Sequence, residues 1–83
     1  MEELLNDLSK FIAETILQNP SRKIKPTEAL ISSGLLDSFH LVDLAIYIEE
    51  RFGVKIEDTE LNRQTFDNLQ ELSKIVFDRM QGK

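Results

Sequence analysis

Apolar residues recur at the three-and-four spacing of an α-helix in three separate stretches of this 83-residue chain. The first stretch covers residues 4–17, the second runs from residue 38 or 39 to 52, and the third covers residues 67–80. Val54 and Ile56 hint at a β-strand, but no second strand pattern exists to pair with them. We therefore predict an all-α protein.

Helix-breaking residues separate these stretches. Asn19-Pro20 ends the first helix, because proline lacks an amide hydrogen and pushes the residue before it out of the helical region. Residues 19–37 then form a long loop. We expect Ala29, Leu30, Leu35 and Leu36 to tie it to the core, and Gly53 to stop the second helix. With a short helix over residues 58–61, the sequence predicts a small four-helix bundle that forms one domain over residues 1–83. Asp67 and Gln70 have the spacing of a capping box before the last helix.

Size and composition exclude several classes of function. A chain this short buries only about 60% of its unfolded surface, too little for a closed substrate cavity with supporting residues, so an elaborate enzyme is not expected. There is no cysteine, and the protein itself therefore offers no disulfide, thiolate metal site or thiol nucleophile. The acidic, amphipathic N-terminus is unlike a signal peptide, and no apolar run approaches about 18 residues, so we expect a cytoplasmic location.

The negative charge is concentrated in the middle of the chain. The net charge is −5, yet residues 26–60 alone hold eight acids against two bases, which gives −6. Such a field repels nucleic acid and anionic membranes, and it attracts basic patches on other proteins. A merely solvated acidic surface is the alternative. The eight acids are Glu28, Asp37, Asp43, Glu49, Glu50, Glu57, Asp58 and Glu60.

The second helix carries two interleaved stripes at helical spacing. One stripe is apolar and predicted to face the core: Leu41, Leu44, Ala45, Ile48 and Phe52. The other mixes apolar and acidic residues: Phe39, Val42, Asp43, Ile46 and Glu50. This second stripe is either partly buried or presented to a partner, and we predict partial burial together with docking.

Ser38 stands where the second helix begins. Serine and aspartate are preferred N-caps, so Asp37-Ser38 is expected to serve as a cap. A hydrolytic serine needs a base within hydrogen-bond reach, and His40, the one histidine, does not face Ser38 at a spacing of two residues on a helix. A phosphate on Ser38, in contrast, suits the amides and the dipole of a helix N-terminus.

The stretch "GLLDSFHLVDLAIYIEERFGVKI", residues 34–56, together with "TFDNL", residues 65–69, resembles the acyl carrier protein family. The resemblance implies that a transferase attaches the phosphopantetheine of coenzyme A to Ser38 and that Asp37 helps to hold the magnesium ion of that transferase. The arm then supplies the thiol that the chain lacks. It also implies a carrier that is not itself a catalyst and has no metal site of its own.

The resemblance further implies partners. These are the phosphopantetheinyl transferase and the enzymes that load and process acyl or aminoacyl groups in fatty acid, lipid or specialised-metabolite biosynthesis, with the carrier a monomer. The implied docking residues overlap the second stripe found from spacing: Asp37, Phe39, Val42, Asp43, Ile46, Glu49 and Glu50.

Details of the motif narrow the type of carrier. Two leucines separate Gly34 from Asp37, Phe39 stands where carriers of fatty acid synthesis commonly have leucine, and His40 occupies an often acidic position. The spacing is closer to D-alanyl carriers and other standalone carriers of dedicated pathways. A basic cluster of Arg22, Lys23 and Lys25 is either solvated or a pathway-specific contact. The alternative function is a helical adaptor that binds partners without a prosthetic group.

Overall fold

The computed structural model describes residues 2–82 and contains three α-helices. They are α1 (Glu2–Phe11), α2 (Ser38–Phe52) and α3 (Leu69–Met80). A π-helical segment, Ile12–Ile16, continues α1, and a single 3-10 turn, Asp58–Glu60, lies between α2 and α3. No β-strand occurs among residues 2–82, and Val54 to Ile56 form an irregular connection. The all-α prediction is confirmed.

The predicted count of four helices is not met within residues 2–82. The expected short helix shrinks to the one 3-10 turn, where the N–H of the preceding Glu57 donates to Oε1 of Glu60, the last residue of the turn, at 3.0 Å. Leu61 then leaves the helical region with φ −86° and ψ 65°. Immediately afterwards the Asn62 side chain accepts the Thr65 N–H at 3.0 Å, so a local turn replaces further helix.

The first helix ends by widening before Pro20. The Leu17 N–H donates to Ile12 O at 2.8 Å, and the Asn19 N–H donates to Ala13 O at 2.8 Å. These hydrogen bonds span five and six residues, whereas those of an α-helix span four. Gln18 has a positive φ of 53°, and the chain then turns into the loop. The predicted helix end near Asn19-Pro20 is therefore confirmed.

The start of α3 is one residue later than the predicted capping box requires. Asn68 is the N-cap, and its Oδ1 accepts the Glu71 N–H at 2.8 Å. The Asp67–Gln70 box is thus wrong, because the Asp67 carboxylate is bound to the loop before α2 instead. Asp67 contributes to this end of α3 only through its N–H, which donates to Glu71 Oε1 at 2.8 Å.

One hydrophobic core joins the three helices and the loop. The buried residues of α1 and its π-helical continuation are Leu4, Leu8, Ile12 and Ala13. Leu30 and Leu36 are buried while Ala29 and Leu35 are half-buried, so the loop is tied to the core chiefly through Leu30 and Leu36. The core members are Leu4, Leu8, Ile12, Ala13, Ile24, Leu30, Leu36, Leu41, Leu44, Ile48, Val54, Ile56, Phe66, Leu69, Leu72 and Val76.

Candidate functional site

The first turn of α2 is closed by Asp37 and His40. Asp37 is the N-cap, and its Oδ1 accepts the His40 N–H at 3.0 Å while its carbonyl oxygen accepts the Leu41 N–H at 3.0 Å. In return, His40 Nδ1 accepts the Asp37 N–H at 3.3 Å. This is a reciprocal capping box in which a histidine takes the place usually held by glutamate or glutamine.

Ser38 is the first helical residue rather than the cap, and it is exposed. Within residues 2–82 its hydroxyl makes no hydrogen bond, and the amides of Ser38 and Phe39 find no acceptor. Free amides at the positive end of a helix dipole favour a phosphate group. The geometry therefore suits a phosphodiester on the Ser38 hydroxyl.

His40 is not placed to activate Ser38. Its ring is turned towards Asp37, with Nδ1 3.4 Å from Asp37 Oδ1, and no Ser38–His40 hydrogen bond exists among the described residues. A nucleophile and base pair of the hydrolase kind is therefore not formed. In the same part of the chain, no group of three or more His, Asp or Glu side chains is arranged to hold a metal ion.

The second stripe of α2 lies on the surface, and we call it the α2 strip: Phe39, Val42, Asp43, Ile46 and Glu50. Phe39 is 81% exposed, Val42 45% and Ile46 50%, which is a large apolar exposure for one short helix. Asp43 and Glu50 form no ion pair with any cation in residues 2–82, nor does Glu49 at the edge of the strip. The strip combines exposed apolar groups with unneutralised carboxylates.

The one arginine of α2 points away from the strip. Arg51 donates to Asp7 Oδ2 of α1 at 3.2 Å, and this hydrogen bond raises the pKa of the Arg51 guanidinium. The cation is thus held against α1, where it does not neutralise the acids of the α2 strip. The electrostatic field over the strip stays negative.

A groove beside the α2 strip extends the surface onto α1. It measures about 300 Å³, and Phe11 and Tyr47 stack in it with ring centroids 4.0 Å apart and planes 12° from parallel. Sequence reasoning missed the contribution of α1, because the spacing within one helix does not reveal which neighbour lies beside it. The groove is lined by Phe11, Thr15, Asp43, Ile46, Tyr47 and Glu50.

The basic cluster in the loop is partly neutralised. Arg22 forms an ion pair with Glu28 and also donates to the Lys23 carbonyl oxygen at 3.1 Å. Lys23 and Lys25 remain exposed. None of the helices in residues 2–82 has the length and apolar character needed to cross a bilayer.

Comparison with known proteins gives a consistent set of matches. Residues 10–76, which include the loop, all of α2 and most of α3, match the family described as the phosphopantetheine attachment site. The chain is 37% identical over 65 residues to the D-alanyl carrier protein of Bacillus pumilus, covering 78% of this chain and 82% of that protein.

Two further relatives are named as acyl carrier proteins. The meromycolate extension acyl carrier protein of Mycolicibacterium smegmatis is 32% identical over 60 residues, or 72% of this chain and 60% of that protein. The acyl carrier protein of Thermobifida fusca is 30% identical over 60 residues, or 72% of this chain and 75% of that protein. The similarity therefore extends across carriers of different cargo.

Proposed function

Since the chain belongs to the acyl carrier protein family, close to the D-alanyl carriers, we propose that Ser38 carries its phosphopantetheine arm. Proteins of this family are carriers and not catalysts, and a phosphopantetheinyl transferase attaches the arm covalently. The family match confirms the resemblance that the motif around Asp37-Ser38 indicated. The observation that supports Ser38 is its exposed, unbonded hydroxyl beside the free amides that begin α2.

Attachment at Ser38 breaks the pyrophosphate linkage of coenzyme A and forms a phosphodiester on the serine. The Ser38 Oγ forms a bond to the phosphorus next to the pantetheine of coenzyme A, and the pyrophosphate P–O bond on its other side breaks. Adenosine 3′,5′-bisphosphate leaves, and the hydroxyl proton passes to a base of the transferase. The bound arm supplies a thiol that carries an acyl or aminoacyl group as a thioester.

Asp37 has two tasks in this proposal. Its carboxylate caps α2 and so fixes the turn that presents Ser38. The same carboxylate is 61% exposed, and it is accessible to the magnesium ion of the transferase, as the family resemblance implies. A carboxylate oxygen is a ligand that magnesium prefers.

Partners dock on the α2 strip in this proposal, with Glu49 at its edge. Exposed apolar side chains give a partner area to bury, and the unpaired carboxylates attract a basic surface. The partners are the transferase and the enzymes that load and process the cargo. The proposal keeps the other expectations from the sequence, namely one domain, a monomer and a cytoplasmic location.

The similarity to D-alanyl carrier proteins favours an aminoacyl cargo of a dedicated pathway over the intermediates of general fatty acid or lipid synthesis. The mass of the group released from the thioester of protein isolated from its own host distinguishes these cargoes. A D-alanyl mass supports the aminoacyl assignment, whereas a long acyl mass contradicts it.

The attachment site is tested by intact mass spectrometry with coenzyme A and a broad-specificity phosphopantetheinyl transferase. We expect the wild type to gain the arm and Ser38→Ala to gain nothing. Because Ser38 is exposed and its hydroxyl is unbonded within residues 2–82, the variant should keep its stability within about 0.5 kcal/mol. If the wild type gains no arm, the carrier proposal is wrong and the adaptor alternative replaces it.

Docking is tested by charge reversal on the α2 strip. Asp43→Lys combined with Glu50→Lys should lower kcat/KM for arm attachment by roughly tenfold, because basic partners are then repelled. Asp58→Lys combined with Asp78→Lys is the matched control, since both residues are exposed, lie outside α2 and change the net charge equally. Equal losses in the two double variants would mean that net charge, and not the strip, governs docking.

A further inference from the structure

Asp67 lies at the start of α3, yet its side chain is bound to the loop that leads to Ser38. We infer that Asp67 is a positioning residue for arm attachment, because it holds this loop and, through it, the first turn of α2. The inference rests on the proposed function of Ser38. It assigns a role to a residue 29 positions away from the attachment site along the chain.

Asp67 binds the loop through four hydrogen bonds. Its Oδ1 accepts the Ile31 N–H at 2.8 Å and the Ser32 N–H at 2.9 Å, and its Oδ2 accepts the Ser32 hydroxyl. Its carbonyl oxygen accepts the Leu30 N–H at 2.6 Å. Three consecutive loop residues are thus held by a single residue of another segment.

Hydrogen bonds within the loop connect these contacts of Asp67 to the start of α2. The Leu36 N–H donates to Leu30 O at 2.9 Å, and Leu36 directly precedes the N-cap Asp37. Between them the Gly34 N–H donates to Ile31 O at 3.0 Å, which closes a turn. Leu30 and Leu36 are both buried, so the residues at the two ends of this bond are packed in the core. A short chain of hydrogen bonds therefore links Asp67 to the residue before Asp37.

The Asp67 side chain is not needed to cap α3, because Asn68 does that. Asp67 is held in place from the α3 side by its own N–H, bound to Glu71 Oε1, and a nearby α3 amide, that of Gln70, donates to Pro26 O at 3.0 Å. The hydrogen bonds from Ser32 also lower the pKa of the Asp67 carboxyl, so the acceptor stays ionised at neutral pH. The side chain is thus left to hold the loop.

Loss of the Asp67 carboxylate frees Ile31 and Ser32 while the backbone bond to Leu30 remains. The first turn of α2 is then in the conformation that the transferase binds in only a fraction of the molecules. Apparent affinity falls by that fraction, whereas the chemical step on the bound protein is unchanged. The expected signature is a raised KM for the carrier with kcat retained.

The test compares Asp67→Ala with Asn68→Ala in the full chain, using coenzyme A and a broad-specificity phosphopantetheinyl transferase. Both variants remove a polar side chain at the start of α3, but only Asp67 contacts the loop. We expect Asp67→Ala to raise KM about fivefold at unchanged kcat. Asn68→Ala should lower Tm by about 4–8 °C and leave KM at the wild-type value.

Two milder variants keep the inference testable if Asp67→Ala folds poorly. Asp67→Asn keeps an oxygen for the Ile31 and Ser32 amides and should restore a KM close to the wild type. Ser32→Ala removes only the hydroxyl bond from the exposed loop and should raise KM by a smaller factor. The inference would be overturned if Ser32→Ala had the wild-type KM and Asp67→Asn raised KM as much as Asp67→Ala does.

Hydrogen exchange separates this inference from the proposed function. In Asp67→Ala the amides of His40 and Leu41, which close the first turn of α2, should exchange faster than in Asn68→Ala. Unchanged exchange there, or equal KM in the two variants, contradicts the positioning role. A wild type that takes up no arm contradicts instead the assignment of Ser38, whatever the exchange rates are.

Discussion

Asp37 caps α2, and this leaves the neighbouring Ser38 hydroxyl free of hydrogen bonds within residues 2–82. A serine that acts as the cap itself uses its oxygen to accept an amide of the first turn. Here Asp37 Oδ1 accepts an amide of the first turn instead, and His40 Nδ1 accepts the Asp37 N–H. The residue proposed to carry the arm is therefore accessible without any loss of helix capping.

Two carboxylates make the folded state sensitive to acid. The pKa of Glu60 is lowered chiefly by its hydrogen bond with Arg79, and that of Asp67 chiefly by the Ser32 hydroxyl. Their ordinary values are 4.5 and 3.8. A lowered folded-state pKa contributes stability that is present above the ordinary value and is lost as the pH falls through the folded value.

We therefore expect the wild type to lose more stability between about pH 6 and about pH 3 than a Glu60→Gln, Asp67→Asn double variant does. Urea unfolding at several pH values measures the difference. The wild type and the variant should approach each other at the acid end, where both carboxyls are protonated. Parallel curves over the whole range would show that these two groups do not carry the acid sensitivity.

Local patterns in the sequence were sufficient to propose Ser38 as the attachment site and to locate the α2 strip, because all of these residues belong to one helix and its cap. The contacts of Asp67 were not predictable in the same way. They join residues 35 and 36 positions apart, and their formation depends on how the loop packs against α3. Local sequence rules assign Asp67 to a helix cap, since it stands three residues before Gln70 at the start of a helical pattern.

Among the helices and turns, the boundaries of α2 followed most directly from sequence. An aspartate cap, a sustained apolar stripe and a terminal glycine all indicate the same helix. The short segment over residues 58–61 lacked such agreement, because the side chains of Glu60 and Asn62 accept hydrogen bonds from nearby backbone amides. A 3-10 turn forms there in place of a helix.

Gly53 ends α2 in the left-handed region, with φ 70° and ψ 21°. No atom outside its immediate neighbours lies within 4 Å of the position that a Cβ would occupy, so the cost of Gly53→Ala comes from backbone strain alone. We expect a loss of about 1 kcal/mol in the free energy of unfolding, measured by urea denaturation. Gly53→Asn is the control and should lose less, because asparagine tolerates this region better; equal losses would contradict the explanation.

Over the whole molecule, cations from both flanks reach towards the acidic middle of the chain. Arg22 pairs with Glu28 and Arg79 pairs with Glu60, while Arg51 of the middle segment pairs outwards with Asp7. The carboxylates of the α2 strip have no cation partner within residues 2–82. Repulsion among these charges opposes folding.

Added salt should therefore raise the melting temperature. Between about 10 mM and about 200 mM sodium chloride we expect an increase of several degrees, because the repulsion is long-ranged while each exposed ion pair contributes at most about 1 kcal/mol. Thermal unfolding followed by circular dichroism measures it. The Asp43→Lys, Glu50→Lys variant has a net charge four units more positive and should respond less, and a flat or falling wild-type curve would refute the charge argument.

The stacked pair in the groove between α1 and α2 has a spectroscopic consequence. Tyr47 is the single tyrosine of a chain without tryptophan, and it lies between Phe11, at 4.0 Å, and the edge of Phe52, at 6.0 Å. Its ultraviolet emission therefore arises from one known place, the contact between the two helices. The protein contains its own fluorescent reporter, which responds when α1 separates from α2 or when another molecule covers the groove.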